Sequence, residues 1–438
     1  MQGENKSPKI LIFTMTSWNS KVGANTWETL VKDFDRENLA NVYLREEIPD
    51  SEICSRYFCI SENRVIKSIL KRKTKTGREV ESQPISNSDE SEDLLAHRKR
   101  YEKMKKHRRY SMVIAREILW KVGKWKSKEL DKFLDEFKPD IILHGMDGYI
   151  HLNRIVRYAI KRTGAKAIGY IWDDNFTYKQ SRKFGHNFYR FFQRKSLKKL
   201  AKKTDGFFAI TPKTKKEADE FFGIDCTVLT KPLYVVPTAE NYEGAVYPLK
   251  MLYTGNLFIG RDNALKSLSK ALVKVNSDNP FVKLDVYTQT VLSKEYLAEV
   301  ENDYLKVYPP ISQKEVLQVQ KEADVLLLLE DLSKKNNVAR LSFSTKITDY
   351  YSAGKCIFAL GNPDLAPLKY LEETNSAIVV CDEEKISAAL LRLKDVSVLN
   401  NFAVNSVSCG IANHNVEKIK TNFKLMIEKV YSDENSTN

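Results

Sequence analysis

Residues 253–265 read YTGNLFIGRDNAL, and this stretch decides how the chain is parsed. An apolar strand ends at Thr254, Gly255 and Gly260 free the backbone, and Arg261 stands beside the start of a helix. Backbone amides, a helix N-terminus and a guanidinium then converge on one point, which suits a phosphate or diphosphate. A plain strand-to-helix turn uses the same glycines, so a second segment is needed. Residues 342–363, SFSTKITDYYSAGKCIFALGNP, supply it. Ser344 and Thr345 precede a short helix as caps, Lys346 adds charge at its start, and Asp349 lies one turn further in, where it can accept from ribose hydroxyls. Gly354 ends that helix before the strand at Cys356. Two anion-ready helix starts, each after a strand, make Gly255, Asn256, Gly260, Arg261, Ser344, Thr345, Lys346 and Asp349 the candidate anion site.

Working outward, short apolar runs at 250–253, 283–287, 325–329, 356–360 and 377–380 read as doubly buried parallel strands separated by helices. The N-terminal half repeats the rhythm, with strands expected at 9–14, 41–44, 140–144, 167–172 and 206–210 and helices at 128–137, 151–162 and 189–202. The stretch 237–248, PTAENYEGAVYP, has linker composition, and 76–93 reads as a mobile polar loop. The parse is two α/β domains, 1–236 and 249–415, followed by a crossover helix and tail, 416–438, with apolar residues near a 3.6 period. Asp173 and Asp174 follow the strand GYIW, where a carboxylate points into the crevice of an α/β sheet.

The 438 residues carry 71 Lys and Arg against 57 Asp and Glu, a net charge of +14. Between His97 and Lys128 there are thirteen basic residues and two acids, so +11 of the charge sits in one segment. Inside it, Ile114, Ile118, Leu119, Val122 and Trp125 form an apolar stripe beside Arg116, Lys121, Lys124 and Lys126. That pattern fits an anionic membrane surface contacted through 97–128; packing on its own domain is the alternative. No nucleic-acid-binding motif accompanies the charge, so no nucleic-acid partner is expected. The six cysteines show no metal or redox spacing, and neither a signal peptide nor an apolar span of about 20 residues is present. The expectation is a cytoplasmic protein, peripheral on the inner face of the cell membrane.

Together the two segments resemble the donor-binding domain of GT-B glycosyltransferases of the GT4-like retaining group. YTGNLFIGR resembles that family's Gly and Arg loop, and DYYSAG its E-A-x-x-x-G ending. The resemblance implies two Rossmann-like domains facing across a cleft, with the C-terminal helix crossing back to the N-terminal domain. It implies transfer of a sugar from a nucleotide-diphosphate donor, UDP- or GDP-linked, to a glycan or polyprenyl-linked acceptor in surface polysaccharide biosynthesis, with no metal or other cofactor. Arg261 and Lys346 would hold the diphosphate, and Asp349 would take the ribose-binding place of the second Glu of an E-x7-E pair. The first Glu of that pair falls at Leu341, so Glu330 or Asp331 is expected to substitute. The resemblance also places His144 near the donor sugar and Gly23 and Asn25 of SKVGAN on the acceptor-side loop; Asp173 and Asp174, from their place after the strand GYIW, are further catalytic candidates. Arg261→Ala and Lys346→Ala are expected to weaken donor binding and leave the fold intact. Two rivals share the architecture: a nucleotide-sugar 2-epimerase, and a catalytically degenerate membrane-associated scaffold.

Overall fold

The computed structural model describes residues 7–19, 26–83, 110–181, 183–233, 236–334 and 337–432. Gly23, Asn25 and residues 97–109 of the basic segment lie outside these. The chain divides into two compact units. Unit 1 takes Met1–Tyr178, Arg182–Leu229 and Lys420–Asn438; unit 2 takes Lys179–Ser181 and Thr230–Ile419.

Unit 1 runs β1 (Ile10–Thr14), α1 (Thr26–Val31), β2 (Leu39–Tyr43), β3 (Arg56–Ile60), α2 (Glu62–Leu70), β4 (Gly77–Val80), α3 (Tyr110–Val122), α4 (Lys128–Phe137), β5 (Ile141–Gly145), α5 (Ile150–Thr163), β6 (Lys166–Ile171), α6 (Phe184–Ala201), β7 (Gly206–Ala209), α7 (Pro212–Phe222) and β8 (Thr227–Val228). The sheet order is β4-β3-β2-β1-β5-β6-β7-β8, parallel throughout except for β4. Local chemistry sets the helix ends. Ser127 and Thr211 cap α4 and α7 through their hydroxyls, Pro212 opens α7, and Gly164 and Gly223 close α5 and α7 in the left-handed region.

Unit 2 continues with β9 (Leu249–Thr254), α8 (Arg261–Val275), β10 (Val282–Tyr287), α9 (Lys294–Val300), β11 (Leu305–Tyr308), α10 (Gln313–Glu322), β12 (Val325–Leu329), α11 (Lys346–Ala353), β13 (Cys356–Leu360), α12 (Ala366–Glu373), β14 (Ile378–Val380), α13 (Ile386–Leu391) and α14 (Val396–Asn413). Its sheet order is β11-β10-β9-β12-β13-β14, all parallel. The run VLLLL of β12 shows why the strand is apolar at every position. Val325, Leu327 and Leu329 enter one core with Leu265 and Leu268 of α8, while Leu326 and Leu328 enter the other with Ile347 and Tyr350 of α11.

The last helix, α15 (Val416–Ser432), passes from unit 2 to unit 1 at Lys420. Phe423 packs 5.8 Å from the Phe208 ring and 6.0 Å from Phe34, Met426 fills the space over Gly206, and Lys420 pairs with Asp33 at 2.6 Å.

The sequence expectations differ from the structure in four places. Strands β3, β4, β8 and β11 were not anticipated, and Gly77–Val80 of the expected loop 76–93 is strand β4, because pairing to Tyr57–Ile60 orders a segment with no apolar period of its own. Helix α6 starts at Phe184 rather than near 189. The apolar stripe of α3 does not face one way: Ile118 and Val122 are exposed, while Glu117 and Trp120 are the residues buried. A polar network decides this. Trp120 Nε1 donates to Glu62 Oε2 at 2.7 Å, Arg116 Nε donates to the same carboxylate at 2.5 Å, and Glu117 accepts from the backbone N–H groups of Ile150 and His151 at the start of α5. Arg116 is thus an internal ion-pair partner rather than a solvated charge.

In an open parallel sheet the crevice lies where the strand order reverses, beyond the C-terminal strand ends. For unit 1 that point is between β1 and β5, and for unit 2 between β9 and β12.

Candidate functional site

The reversal point of unit 2 gathers the residues singled out by sequence. β9 ends at Thr254 and β12 at Leu329, so Gly255 and Glu330 both emerge at the C-terminal edge of neighbouring strands. Gly260, at φ 83°, is the N-cap of α8, which makes Arg261 the first residue of that helix. A Cβ at Gly260 would overlap the Asp331 carboxyl group, so only glycine fits there.

Arg261 forks onto Glu330: Nη2 lies 2.8 Å from both carboxylate oxygens, and Nε lies 3.0 Å from Oε2 and 3.0 Å from the Leu329 carbonyl. Both side chains are largely buried. Burial opposes the charge on Arg261, and the Glu330 carboxylate outweighs it, so the guanidinium is held more firmly protonated than usual. Glu330 therefore neutralises Arg261 in this state rather than standing free for a sugar hydroxyl.

Lys346, the first residue of α11, lies over Gly255. A Cβ there would stand 2.7 Å from Lys346 Cε and 2.9 Å from Nζ, at a φ of 149°. The ammonium faces the Tyr253 ring at 5.5 Å and, among the described residues, makes no hydrogen bond or ion pair. Burial, and next the positive charge of Arg261, push its pKa below the usual lysine value; Glu330 and Asp349 offset this in part. An inward-turned ammonium without an acid against it has the chemistry to meet an anion.

Asp349, one turn into α11, accepts from Lys231 Nζ at 3.1 Å, and the same ammonium lies 3.3 Å from the Thr345 carbonyl. Lys231 thus adds a third cation beside Lys346 and Arg261, one that sequence reading missed because it lies more than a hundred residues away. Its backbone is fixed by His414, whose Nδ1 is 2.8 Å from the Lys231 carbonyl. Thr345 is the N-cap of α11 but makes no side-chain capping bond, and Ser344 gives its carbonyl to the Ile347 N–H; the hydroxyl caps expected from the sequence do not form. Asn256 gives its carbonyl to the Tyr253 hydroxyl at 2.7 Å, and its side-chain Oδ1 has no partner. A cavity of about 1540 Å³ adjoins Gly260 and Asp331 and reaches Phe258, Tyr296 and Arg392; Arg261, Lys346 and Asp349 do not line it.

In unit 1 the candidates separate. His144 is wholly buried near the end of β5, with Nδ1 3.2 Å from the Gly145 carbonyl and Nε2 3.1 Å from the Thr204 hydroxyl. Both ring nitrogens are thereby engaged within the fold, and burial lowers its pKa to about 4. Asp174 is likewise buried and turned into its own loop, accepting from Thr177 N–H at 2.9 Å and from the Thr177 hydroxyl. Asp173 stays partly exposed. Its carboxylate acts on Asp147, two residues beyond β5, whose pKa is raised to about 7 by burial first and by Asp173 second. The Asp147 side chain folds back over Gly145 beside Trp172. The sequence signal for Asp147 was the one used for Asp173, a carboxylate just past an apolar strand; HGMD conceals it behind the histidine.

His144 in unit 1 and His414 in unit 2 each have a folded pKa of about 4 against an ordinary 6.5. Since the neutral form is the one the fold holds, the stabilisation is complete above pH 6.5 and is lost as the pH falls toward 4. It amounts to about 3 kcal/mol for each histidine. Denaturant unfolding at pH 7 and pH 5 should show the loss, and His144→Gln should reduce the pH dependence of unit 1; an unchanged pH slope in that variant refutes the assignment.

No known family model matches the chain, and no curated protein does. Solved structures do. The α,α-trehalose-6-phosphate synthase of Burkholderia multivorans is 10% identical, with a TM-score of 0.60 over 98% of this chain and 98% of that one. HepE of Anabaena, solved in complex with UDP-glucose, is 10% identical, with a TM-score of 0.57 over 97% of this chain and 100% of its own. A glycosyltransferase of Rickettsia africae is 12% identical, with a TM-score of 0.53 over 96% and 98%. The likeness spans both units, and the architecture is that of the GT-B fold.

Proposed function

We propose that the protein is a glycosyltransferase that takes a sugar from a nucleotide-diphosphate donor, UDP- or GDP-linked, and passes it to a glycan or lipid-linked acceptor in building a surface polysaccharide. The observation that carries this reading is Lys346, an inward-turned ammonium with no acid against it, stacked on Gly255 beside Arg261 at the reversal point of unit 2. The HepE complex with UDP-glucose supports the choice of donor class.

In this reading the donor diphosphate lies against the N-terminus of α11. Lys346 meets its charge directly, Arg261 contributes when its fork on Glu330 is shared, and Asp349, held by Lys231, accepts from the ribose hydroxyls. When the bond from the sugar to the diphosphate breaks, the electron pair leaves with the diphosphate, and Lys346 stabilises the charge that gathers there. The acceptor hydroxyl forms the new bond to the sugar carbon and loses its proton to the departing phosphate oxygen on the same face, with net retention. The mechanism uses no metal, since the diphosphate charge falls to these side chains.

On the acceptor side Asp147 and Asp173 take the place of His144 and Asp174 as the working residues. They orient the acceptor hydroxyl by accepting its hydrogen bond. Only the ionised form accepts without competition from its own proton, so transfer should fall as the pH drops through about 7, the value to which burial and the Asp173 charge raise Asp147. Asp147→Asn should remove that acidic limb from the kcat/KM profile and lower the plateau by about 10²-fold. A limb near pH 7 that survives in this variant excludes the role.

The functional reading is tested by titrating UDP- and GDP-sugars calorimetrically and analysing products with and without glycan or lipid-linked acceptors. Donor binding with acceptor-dependent transfer is the expected result. Conversion of the sugar nucleotide without acceptor would point to epimerisation, and the absence of any donor binding would overturn the proposal.

A further inference from the structure

The geometry points to α6 as a membrane-docking element: we propose that its outer face, a ridge of four phenylalanines edged by cations, inserts into the surface of an anionic lipid bilayer. Over its N-terminal turns the helix presents phenylalanines outward and mostly polar side chains inward, while Leu197 and Leu200 near its C-terminus pack inward. Its buried positions are His186, Tyr189, Arg190, Gln193, Ser196, Leu197 and Leu200. Its outward positions are Phe184 (84% exposed), Phe188 (48%), Phe191 (45%) and Phe192 (44%).

Leu197 and Leu200 hold the C-terminal end by packing, and polar anchoring orients the turns that carry the phenylalanines. Gln193 Nε2 and the Tyr189 hydroxyl both donate to the Gly148 carbonyl, at 2.7 and 3.0 Å. The His186 Nδ1 lies 3.1 Å from the Tyr110 hydroxyl of α3. The fold thus fixes the polar side inward at named bonds and leaves the aromatic side out. The rings form a continuous strip, with centroids 6.3 Å apart for Phe184 and Phe188, 5.3 Å for Phe188 and Phe192, and 5.4 Å for Phe191 and Phe192. A contiguous exposed apolar strip of this kind marks a surface that is covered in use.

Charge identifies what covers it. Helix α6 contains five cations and no acid. Lys195 Nζ sits 4.3 Å over the Phe191 ring, and Lys198 and Lys199 follow on the exposed side. Helix α3, packed against α6, exposes Met112, Ile118, Val122 and Lys121. Aromatic side chains flanked by long basic ones match a bilayer with anionic headgroups, where rings enter the acyl boundary and ammonium groups stay at the phosphate level. An acidic protein partner would satisfy the cations but not four phenylalanines in a row. This moves the membrane contact expected from 97–128 onto a surface that includes α6, and it does not depend on the proposed activity. No helix among the described residues is long and apolar enough to cross a bilayer.

The test is vesicle flotation of the full chain with phosphatidylcholine vesicles, with and without phosphatidylglycerol. It is run beside the triple variant Phe184→Ser, Phe188→Ser, Phe192→Ser, whose changes are all at exposed positions. Binding should need the anionic lipid, weaken with salt, and drop by about tenfold or more in the triple variant. In a second variant, Phe188→Trp, the emission should shift to shorter wavelength on adding anionic vesicles. Binding retained in full by the triple variant, through charge alone, overturns the proposal. So does a lipid-free dimer that the triple variant dissociates while vesicle binding persists, since the ridge would then be a contact between copies.

Discussion

Replacing Lys346 with Met should lower donor affinity and kcat/KM by about 10²- to 10³-fold while making the protein more stable, not less. The two effects share one cause. Without donor, the Lys346 ammonium is turned inward with no hydrogen bond or ion pair among the described residues, and burial together with Arg261 disfavours its charge. The fold bears that cost, and a methionine of similar length fills the space over Gly255 without it. The gain should be of order 1 kcal/mol, roughly 2–4 °C in Tm for a unit of this size. On the proposed reading the balance reverses with the donor diphosphate bound, because the charge is then met and the variant should lose a charge-assisted contact worth about 3–4 kcal/mol to the transition state. Melting curves with and without UDP- or GDP-sugar read both halves at once. The native protein should rise in Tm with donor, and Lys346→Met should start higher and stay there. The pH dependence carries the same sign. As the pH rises through the lowered pKa of Lys346, the native chain loses the charge, gains stability and loses donor affinity, whereas Lys346→Arg holds its donor to higher pH. A Lys346→Met protein that binds donor as well as the native one removes the basis of the proposed function.

What the sequence shows of this site, and what it hides, follows from how far apart the interacting residues lie. β12 and β13 are legible to the residue because VLLLL and CIFAL are buried on both sheet faces, which leaves no other periodicity to compete. Arg261 and Lys346 are legible because each begins a helix directly after a glycine-marked or polar turn. Their partners are not. The pairing of Glu330 with Arg261 and of Lys231 with Asp349 depends on the register of β9 against β12 and on the path of the chain before α11, neither of which leaves a local pattern. The charge of Asp173 likewise reaches Asp147 only because β5 and β6 are neighbours in the sheet. Helix α6 is the opposite case. Its phenylalanines carry a strong period that argues for burial, yet the buried face is the polar one, since the Gly148 carbonyl, Tyr110 and their partners claim it. An apolar period left exposed on the folded surface is where an outside partner is to be sought.

Arg261→Ala should destabilise unit 2 by about 3–5 kcal/mol, so the expectation that this substitution leaves the fold intact does not survive the geometry. Glu330 is 6% exposed at its side chain, and its ion pair and side-chain hydrogen bonds run to Arg261. Removing the guanidinium leaves a carboxylate in a largely dry site, which is the costly way to break a buried pair. Loss of transfer in Arg261→Ala therefore says little by itself. The informative variant is Arg261→Met with Glu330→Leu, which removes both charges and fills their volume. It should recover most of the native stability, because a buried pair replaced by apolar side chains is often neutral or better. If Arg261 serves the donor as well as Glu330, kcat/KM in the double variant should remain about 10²-fold low. Arg261→Lys adds a third reading: a single ammonium cannot fork onto both carboxylate oxygens, so stability should be intermediate while part of the donor affinity returns. Native transfer rates in a stable double variant would assign Arg261 to the architecture of the α8 turn alone and leave Lys346 and Lys231 as the cations available to the diphosphate.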